Sequence, residues 1–218
     1  MEKTCCGFGH RIVLWNVEYA LRIALCDVIE NWGITRFLTG GMGEFDELFA
    51  KNVRSLREKY PQIRLCLVCP YLTKKLNEEK GLLSLLYDAI IIPAELDGTY
   101  KKAAIPLRNR WMVEQSDVVI SAVYRNFGGA YEAVAYATKH GVPIVQTRDF
   151  FRRTMKYLKP SNGYTYPLIQ ANYIIWARKS QCQEQKTGEK SRIIERSTCC
   201  IINEFHKRQE KSHFFVVK

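Results

Sequence analysis

Two hydrophobic patterns alternate along the first two thirds of the chain. Short continuous apolar runs, such as residues 63–70 and 117–123, predict buried strands. Between the runs, apolar residues recur every three or four positions, and this spacing predicts amphipathic helices. Strands that are apolar throughout and that alternate with helices predict a Rossmann-like, doubly wound α/β fold, with a mainly parallel sheet and helices on both faces.

The same pattern gives the predicted bounds of each element. Strands are expected at 3–9, 35–41, 63–70, 88–95, 117–123 and 142–147. Helices are expected at 17–32, 45–56, 77–88, 106–116 and 129–140. Pro106 suits the first turn of its helix. In that helix Trp111 and Leu107 are expected on the buried face, and Arg108 and Met112 on another face.

The periodic pattern stops near residue 150. Residues 1–150 are therefore predicted to form one Rossmann-like domain, and residues 151–218 a basic, turn-rich extension. The segment 177–218 is polar and rich in lysine, as disordered segments are, and is expected to be largely unordered.

Charge separates the same two parts of the chain. The formal net charge is +11 over 218 residues, but residues 1–150 carry only +2 and residues 151–218 carry +9. A basic tail can bind nucleic acid through phosphate contacts, although such a segment is more often simply solvated. Nucleic-acid binding through the tail is therefore kept as an alternative that is not favoured.

Neither a membrane segment nor a disulfide framework is predicted. No apolar run reaches the roughly 18 residues of a membrane span, and the start "MEKTCC" lacks a signal peptide's apolar stretch, which predicts a cytoplasmic protein.

Several of the eight cysteines lie in apolar runs, so they are expected to be small buried hydrophobic residues and not a disulfide framework. Cys66 and Cys69 have redox-motif spacing, but on a strand rather than at a helix start. The tail combines cysteines and histidines without paired zinc spacing, so no metal site is predicted. These tail residues are Cys199, Cys200, His206 and His213.

Three glycine turns, at 7–9, 40–43 and 128–129, follow predicted strands. In doubly wound sheets ligands bind beyond the carboxyl ends of the strands, so these turns predict one shared site. Glycines at a helix start suit a phosphate, because backbone N–H groups point at the ligand there. They suit any tight strand-to-helix turn equally well.

The first two turns supply candidate binding residues. In "GFGHR" the candidates are Gly9, His10 and Arg11, with Arg11 pairing with an anion. In "TGGMGEFD" they are Gly40, Gly41, Gly43, Glu44 and Asp46. The acidic residues either complement the dipole of the following helix or hold ribose hydroxyls.

The remaining candidates come from two later segments. "RNRW" contributes Arg108 and Asn109, which are expected to reach the strand ends, with a solvated polar face as the alternative. "FGGAYE" contributes Gly128, Gly129 and Glu132. Glu132 lies one turn into its helix, where it either caps the helix electrostatically or faces the ligand.

Four motifs in this order carry a resemblance to a known family. "CGFGHR", "TGGMGEFD", "RNRWMV" with "SDVVI", and "GGAYEAVAYATKHG" resemble the SLOG superfamily, and most closely its YpsA-like branch. The resemblance covers residues 3 to about 147. It implies a Rossmann-like fold that binds nucleotides or nucleotide sugars at the glycine loops. The superfamily includes phosphoribohydrolases, DNA-processing DprA proteins and NAD- or ADP-ribose-sensing domains of phage-defence systems, and its members often dimerise.

One departure bears on activity. Alignment with the phosphoribohydrolase motif P-G-G-x-G-T-x-x-E puts Ala135 at the catalytic glutamate. The resemblance therefore implies a sensor or binding module for a nucleotide or nucleotide sugar, with no cofactor required and with a homodimer as a candidate assembly. The alternative is a hydrolase of a nucleotide N-glycosidic bond, for which Glu132 and Glu44 are the candidate carboxylates.

Overall fold

A computed structural model of the chain describes residues 2–13 and 17–150, apart from the side chain of Lys75. The chain divides into the units Met1–Phe151 and Arg152–Lys218, and the described residues lie in the first. The predictions made for the tail, including its disorder, its cysteine and histidine cluster and its nucleic-acid binding, lie outside the described residues.

Strands and helices alternate along the described chain. The strands are β1 (Lys3–Gly9), β2 (Ile34–Thr39), β3 (Arg64–Val68), β4 (Ala89–Ile91), β5 (Val118–Ala122) and β6 (Ile144–Gln146). The helices are α1 (Val17–Trp32), α2 (Glu44–Leu56), α3 (Lys74–Glu78), α4 (Lys80–Leu86), α5 (Lys101–Glu114) and α6 (Gly129–Lys139), with a 3₁₀ turn at Ala94–Leu96.

The strands form one parallel sheet with the order β4-β3-β2-β1-β5-β6. The chain builds the sheet outward from β1 to β4 and then returns to the other side of β1 with β5. The strand order therefore reverses between β1 and β5, and the crevice beyond the carboxyl ends of these two strands is where such sheets bind ligands. The predicted Rossmann-like α/β class is confirmed.

Helices cover both faces of the sheet. Cys6 and Phe8 of β1 point to the face that α5 and α6 cover, where they join a buried cluster with Met112 and Val134. The alternate residues of β1 point to the opposite face, which α1 and α2 cover.

Two glycines of β1 let α2 pack directly on the strand. A Cβ atom on Gly7 would lie 2.6 Å from the ring of Phe49, and one on Gly9 would overlap the ring of Phe45. Both rings are almost completely buried. The absence of a side chain at Gly9, predicted to serve ligand binding, is thus already required by packing between β1 and α2.

Helix α5 differs from its prediction in two respects. It begins at Lys101, because the Tyr100 carbonyl accepts bonds from Ala103 N and Ala104 N, so Pro106 lies in the second turn. The predicted buried face is also wrong, since Arg108 and Met112 are buried. The sequence predicts that Arg108 reaches the strand ends, with a solvated face as the alternative. In the structure Arg108 does reach the end of β3, where the Val68 carbonyl is its buried acceptor.

Smaller differences concern the segment between β3 and α5. The single helix predicted over 77–88 is two short helices, α3 and α4. The strand predicted over 88–95 is reduced to β4 and the 3₁₀ turn that follows Pro93. None of the described helices has the length and apolarity needed to cross a membrane.

We expect Gly9→Ala to destabilise the protein by about 1–3 kcal/mol, because the new methyl group has no space beside the Phe45 ring. Chemical denaturation measures the effect. Gly81→Ala is the matched control, since Gly81 lies in α4 with no atom within 4 Å of its added Cβ. Alanine is the better helix former, so this control should match or exceed the wild type. Equal stability of both variants would contradict the packing assigned to Gly9.

Candidate functional site

The loops after β1, β2 and β5 contact one another at the carboxyl edge of the sheet. The β1 and β2 loops meet at Gly43, which precedes α2 with a φ of 134°. A Cβ there would lie 3.0 Å from Arg11 Cα. Glu44 N donates to the Arg11 carbonyl at 3.1 Å, and Val13 N donates to Glu44 Oε2 at 2.9 Å. Glu44 therefore clamps the β1 loop onto the start of α2.

Asp46 shapes the β2 loop in a similar way. Its Oδ2 accepts a bond from Met42 N at 2.7 Å, which holds the turn through Gly41, whose φ is 64°. Burial raises the pKa of this carboxyl above its ordinary value, while the Met42 N–H and the charge of Arg108 oppose the shift. The carboxylates of Glu44 and Asp46 each have an oxygen engaged by backbone, and their predicted contact with ribose stays a prediction.

Arg108 lies buried beneath the β2 loop. The residue is only 2% exposed, and its Nη1 donates a hydrogen bond to the Val68 carbonyl at 3.0 Å. The guanidinium fills the space where a side chain on Gly40 would lie. Burial lowers the pKa of Arg108, and nearby Asp46 opposes the shift. Nε is buried without a hydrogen-bond partner among the described residues.

Because Arg108 is buried, an alanine substitution there would affect the fold as well as any ligand. An arginine on a solvated face could be replaced by alanine with the fold intact. In the structure the same change leaves the Val68 carbonyl without its donor and opens a cavity under Gly40. A binding defect in such a variant would therefore be inseparable from a defect in the fold.

The β1 and β5 loops meet across the crevice. Arg125 N donates to His10 Nε2 at 3.1 Å, and the Tyr124 hydroxyl donates to the Ile12 carbonyl at 2.8 Å. The rings of His10 and Tyr124 lie edge to face with centroids 4.4 Å apart. Burial lowers the pKa of His10, and the Arg125 charge acts in the same direction. His10 is therefore a neutral acceptor that positions the β5 loop.

The start of α6 lies beside α5. Gly128 precedes the helix with a φ of 92°, and the helix start has no side-chain cap. Gly129 is the first helical residue, and Asn109 Nδ2 lies 3.8 Å from the position of a Cβ on it. Glu132 is exposed, and its N–H donates to the Gly128 carbonyl at 3.0 Å. Arg108 and Asn109 thus connect the second and third glycine loops through α5.

The two helix starts at this edge differ in charge. The first turn of α2 contains three acidic residues, Glu44, Asp46 and Glu47, whereas the first turn of α6 contains only Glu132. Carboxylates repel an approaching phosphate. The start of α6 is accordingly the better anion site of the two.

An open cavity of about 470 Å³ lies between α2 and α4, away from the start of α6. Its lining includes Glu47, Lys51, Arg54, Leu86 and Tyr87. None of the predicted glycines lines it, but Glu44 does, so the cavity adjoins the contact between the β1 loop and the start of α2.

Cys66 and Cys69 do not form a redox centre of the usual kind. Burial raises the pKa of both thiols, which disfavours the reactive thiolate. Sequence reasoning singled out neither Tyr124 nor Arg125, which lie in the loop between β5 and α6 and bond the β1 loop. Their position between a strand end and a glycine pair was the available signal.

The neutral state of His10 leads to a pH dependence of stability. In the unfolded chain this histidine takes up a proton near its ordinary pKa of 6.5, but the folded protein resists protonation. The stability that neutral His10 contributes to the fold is therefore complete above about pH 6.5 and is lost as the pH falls toward the lower pKa of the folded protein. We expect denaturation between about pH 7.5 and pH 5 to show a shallower loss of stability for His10→Gln than for the wild type. His140→Gln at an exposed position is the control, and equal slopes for His10→Gln and wild type would contradict the assignment.

Comparison with known proteins adds structural similarity only. No protein-family model matches the chain, and no curated protein matches it in sequence. Similar solved structures include DNA processing protein A from Streptococcus pneumoniae, at 12% identity, a TM-score of 0.49, and coverage of 72% of this chain and 57% of that one. The chain thus spans little more than half of that protein.

Two further structures show the same level of similarity. DNA processing protein A from Helicobacter pylori, described by its single-stranded DNA binding mode, shares 13% identity with a TM-score of 0.48, covering 93% of this chain and 81% of that one. A molybdenum cofactor binding protein from Rippkaea orientalis shares 18% identity with a TM-score of 0.42, covering 70% and 84%. These similarities concern the fold alone. The parallel sheet with loops at its carboxyl edge is the Rossmann-like α/β fold that the sequence predicts, while membership of the SLOG superfamily and of its YpsA-like branch stays a prediction.

Proposed function

We propose that the protein binds a nucleotide or nucleotide sugar at the carboxyl edge of the sheet, with a phosphate at the start of α6, and that it acts as a sensor or binding module. The observation that carries the proposal is the open space at Gly129. A helix start without a side-chain cap leaves its first backbone N–H groups available to an anion.

The fold accounts for the other glycines of the predicted site. Gly9 packs on Phe45, and Gly40 makes room for Arg108. Gly41, Gly43 and Gly128 have positive φ angles, which favour glycine. Gly129 has neither requirement, because it is helical and no atom other than Asn109 Nδ2 comes within 4 Å of an added Cβ. A ligand that approaches the backbone closely supplies the missing reason for a glycine here.

Exposed cations complement this helix start. Arg125 lies in the loop that precedes α6, and Arg11 lies in the neighbouring β1 loop. Both guanidinium groups are on exposed residues, so they can pair with a phosphate without the loss of a buried contact. Arg108 contributes a buried positive charge below the β2 loop. In the proposal Asp46 and Glu44 hold ribose hydroxyls with the carboxylate oxygens that the backbone leaves available.

Gly129→Ala tests the phosphate position. The methyl group has space in the unliganded fold, so stability should stay level or rise by up to about 1 kcal/mol. Affinity should fall about tenfold or more, because the loss of one charge-assisted hydrogen bond to phosphate has that effect. Calorimetric titration with AMP and ADP-ribose measures the affinity, and thermal unfolding of the same samples measures the stability.

Gly81→Ala is the matched control for this experiment. It makes the same change in an exposed helix with the same open surroundings, and it should leave both affinities unchanged. Unchanged affinity in Gly129→Ala would place the phosphate elsewhere. A large stability loss in that variant would instead show that the fold itself needs this glycine.

We expect no release of free base from nucleotides. Ala135 stands where the resembling hydrolases have their catalytic glutamate, and Glu132 lies three residues earlier, most of a helical turn away. Incubation of the wild type with nucleoside monophosphates, followed by chromatography, should recover the nucleotides intact. Base release that is abolished in Glu132→Gln and retained in Glu114→Gln, a control on the neighbouring helix, would instead make the protein a hydrolase.

A further inference from the structure

The loop after β5 leaves an aromatic ring in solvent beside the proposed phosphate position. Phe127 is 62% exposed and directly precedes Gly128. Burial of a phenylalanine side chain is favourable by a few kcal/mol, and the folded chain forgoes most of that gain here. A single exposed apolar residue is common in folded proteins, so the groups around the ring determine whether it indicates a binding surface.

A cation accompanies the ring. The guanidinium carbon of Arg125 lies 5.9 Å from the centroid of Phe127 and 5.2 Å from that of Tyr124. These distances are within the range of cation–π contacts. The guanidinium therefore contacts two aromatic rings, and the three groups lie together in the β5 loop.

The backbone beneath these groups is held from the β1 loop. The hydrogen bonds from Arg125 N to His10 and from the Tyr124 hydroxyl to Ile12 attach the β5 loop at two successive residues. Ordering such a loop only on binding would reduce affinity, and a loop attached beforehand avoids much of that loss. The surface is thus positioned in the unliganded protein.

We infer that the Phe127 ring, in contact with the guanidinium of Arg125, forms the stacking surface for the aromatic base of the ligand, which makes the ligand class a base-bearing nucleotide rather than a plain sugar phosphate. The inference rests on the proposed function, because it takes the phosphate to lie at the start of α6. Bases stack on aromatic rings and on guanidinium planes, and every base has a face to offer. The ring lies one residue before the Gly128–Gly129 pair, so base and phosphate would bind to one continuous segment.

Tyr100 provides a matched control for Phe127. It is an aromatic residue at the same edge of the sheet and is 69% exposed. It precedes α5 and follows β4, which is separated from β1 by β3 and β2. Replacing it with leucine removes an exposed ring from the edge without altering the β5 loop.

The test compares AMP with ribose 5-phosphate, which lacks the base, by calorimetric titration of the full chain. The wild type should bind AMP roughly five- to hundredfold more tightly, the gain expected from one stacked base. Phe127→Leu should remove most of this difference and leave the affinity for ribose 5-phosphate unchanged. Tyr100→Leu should behave as the wild type with both compounds, and Gly129→Ala should weaken both.

The outcomes separate the inference from the function on which it rests. Equal affinities for the two compounds, or an unchanged AMP affinity in Phe127→Leu, would overturn the stacking surface while Gly129→Ala still supported the phosphate site. No binding of either compound would overturn both. Binding of a ten-residue oligothymidylate that depends on Phe127, without binding of AMP, would also overturn the inference and assign the ring to single-stranded nucleic acid.

Discussion

The close packing of α2 on β1 determines how the carboxyl edge is built. Because β1 has glycine at positions 7 and 9, the rings of Phe49 and Phe45 lie directly on the strand. Helix α2 is therefore near enough for its first residue, Glu44, to bond both the carbonyl of Arg11 and the N–H of Val13. The β1 loop held in this way supplies the acceptors for the β5 loop. The packing of α2 on β1 in the core thus sets the positions of the three loops at the surface.

Positive charge at this edge is placed both inside the protein and on its surface. Arg108 lies inside the protein, where the Val68 carbonyl and the neighbouring Asp46 offset part of the unfavourable loss of hydration. Its charge and shape set the β2 loop from below. The exposed cations Arg11 and Arg125 lie on the loops themselves. Side-chain exposure thus distinguishes the buried arginine that supports a loop from the surface arginines that we propose to contact a ligand.

Glycines at this edge likewise divide by physical role. Packing requires those at positions 9 and 40, and backbone conformation requires those at 41, 43 and 128. Of these glycines, only Gly129 has space for a side chain in a conformation that any residue adopts. Gly81 in α4 has the same freedom, so the space at Gly129 supports a ligand only together with its place at an uncapped helix start beyond β5.

The sequence by itself determined the alternation of strands and helices, the parallel sheet and the glycine turns after β2 and β5, whereas Gly7 and Gly9 of the third predicted turn lie within β1. Those features depend on local periodicity and on turn chemistry, which short stretches of sequence carry. Residues 3–9 and 129–139 were predicted within one residue of their observed bounds. Only the tertiary structure decided that Arg108 is buried, that Gly9 serves packing, and that Tyr124 and Arg125 bridge two loops. Each of these depends on a partner distant in sequence, such as Val68 for Arg108 or Phe45 for Gly9. Periodicity describes one segment at a time, so it contains no information about which distant group fills the space beside it.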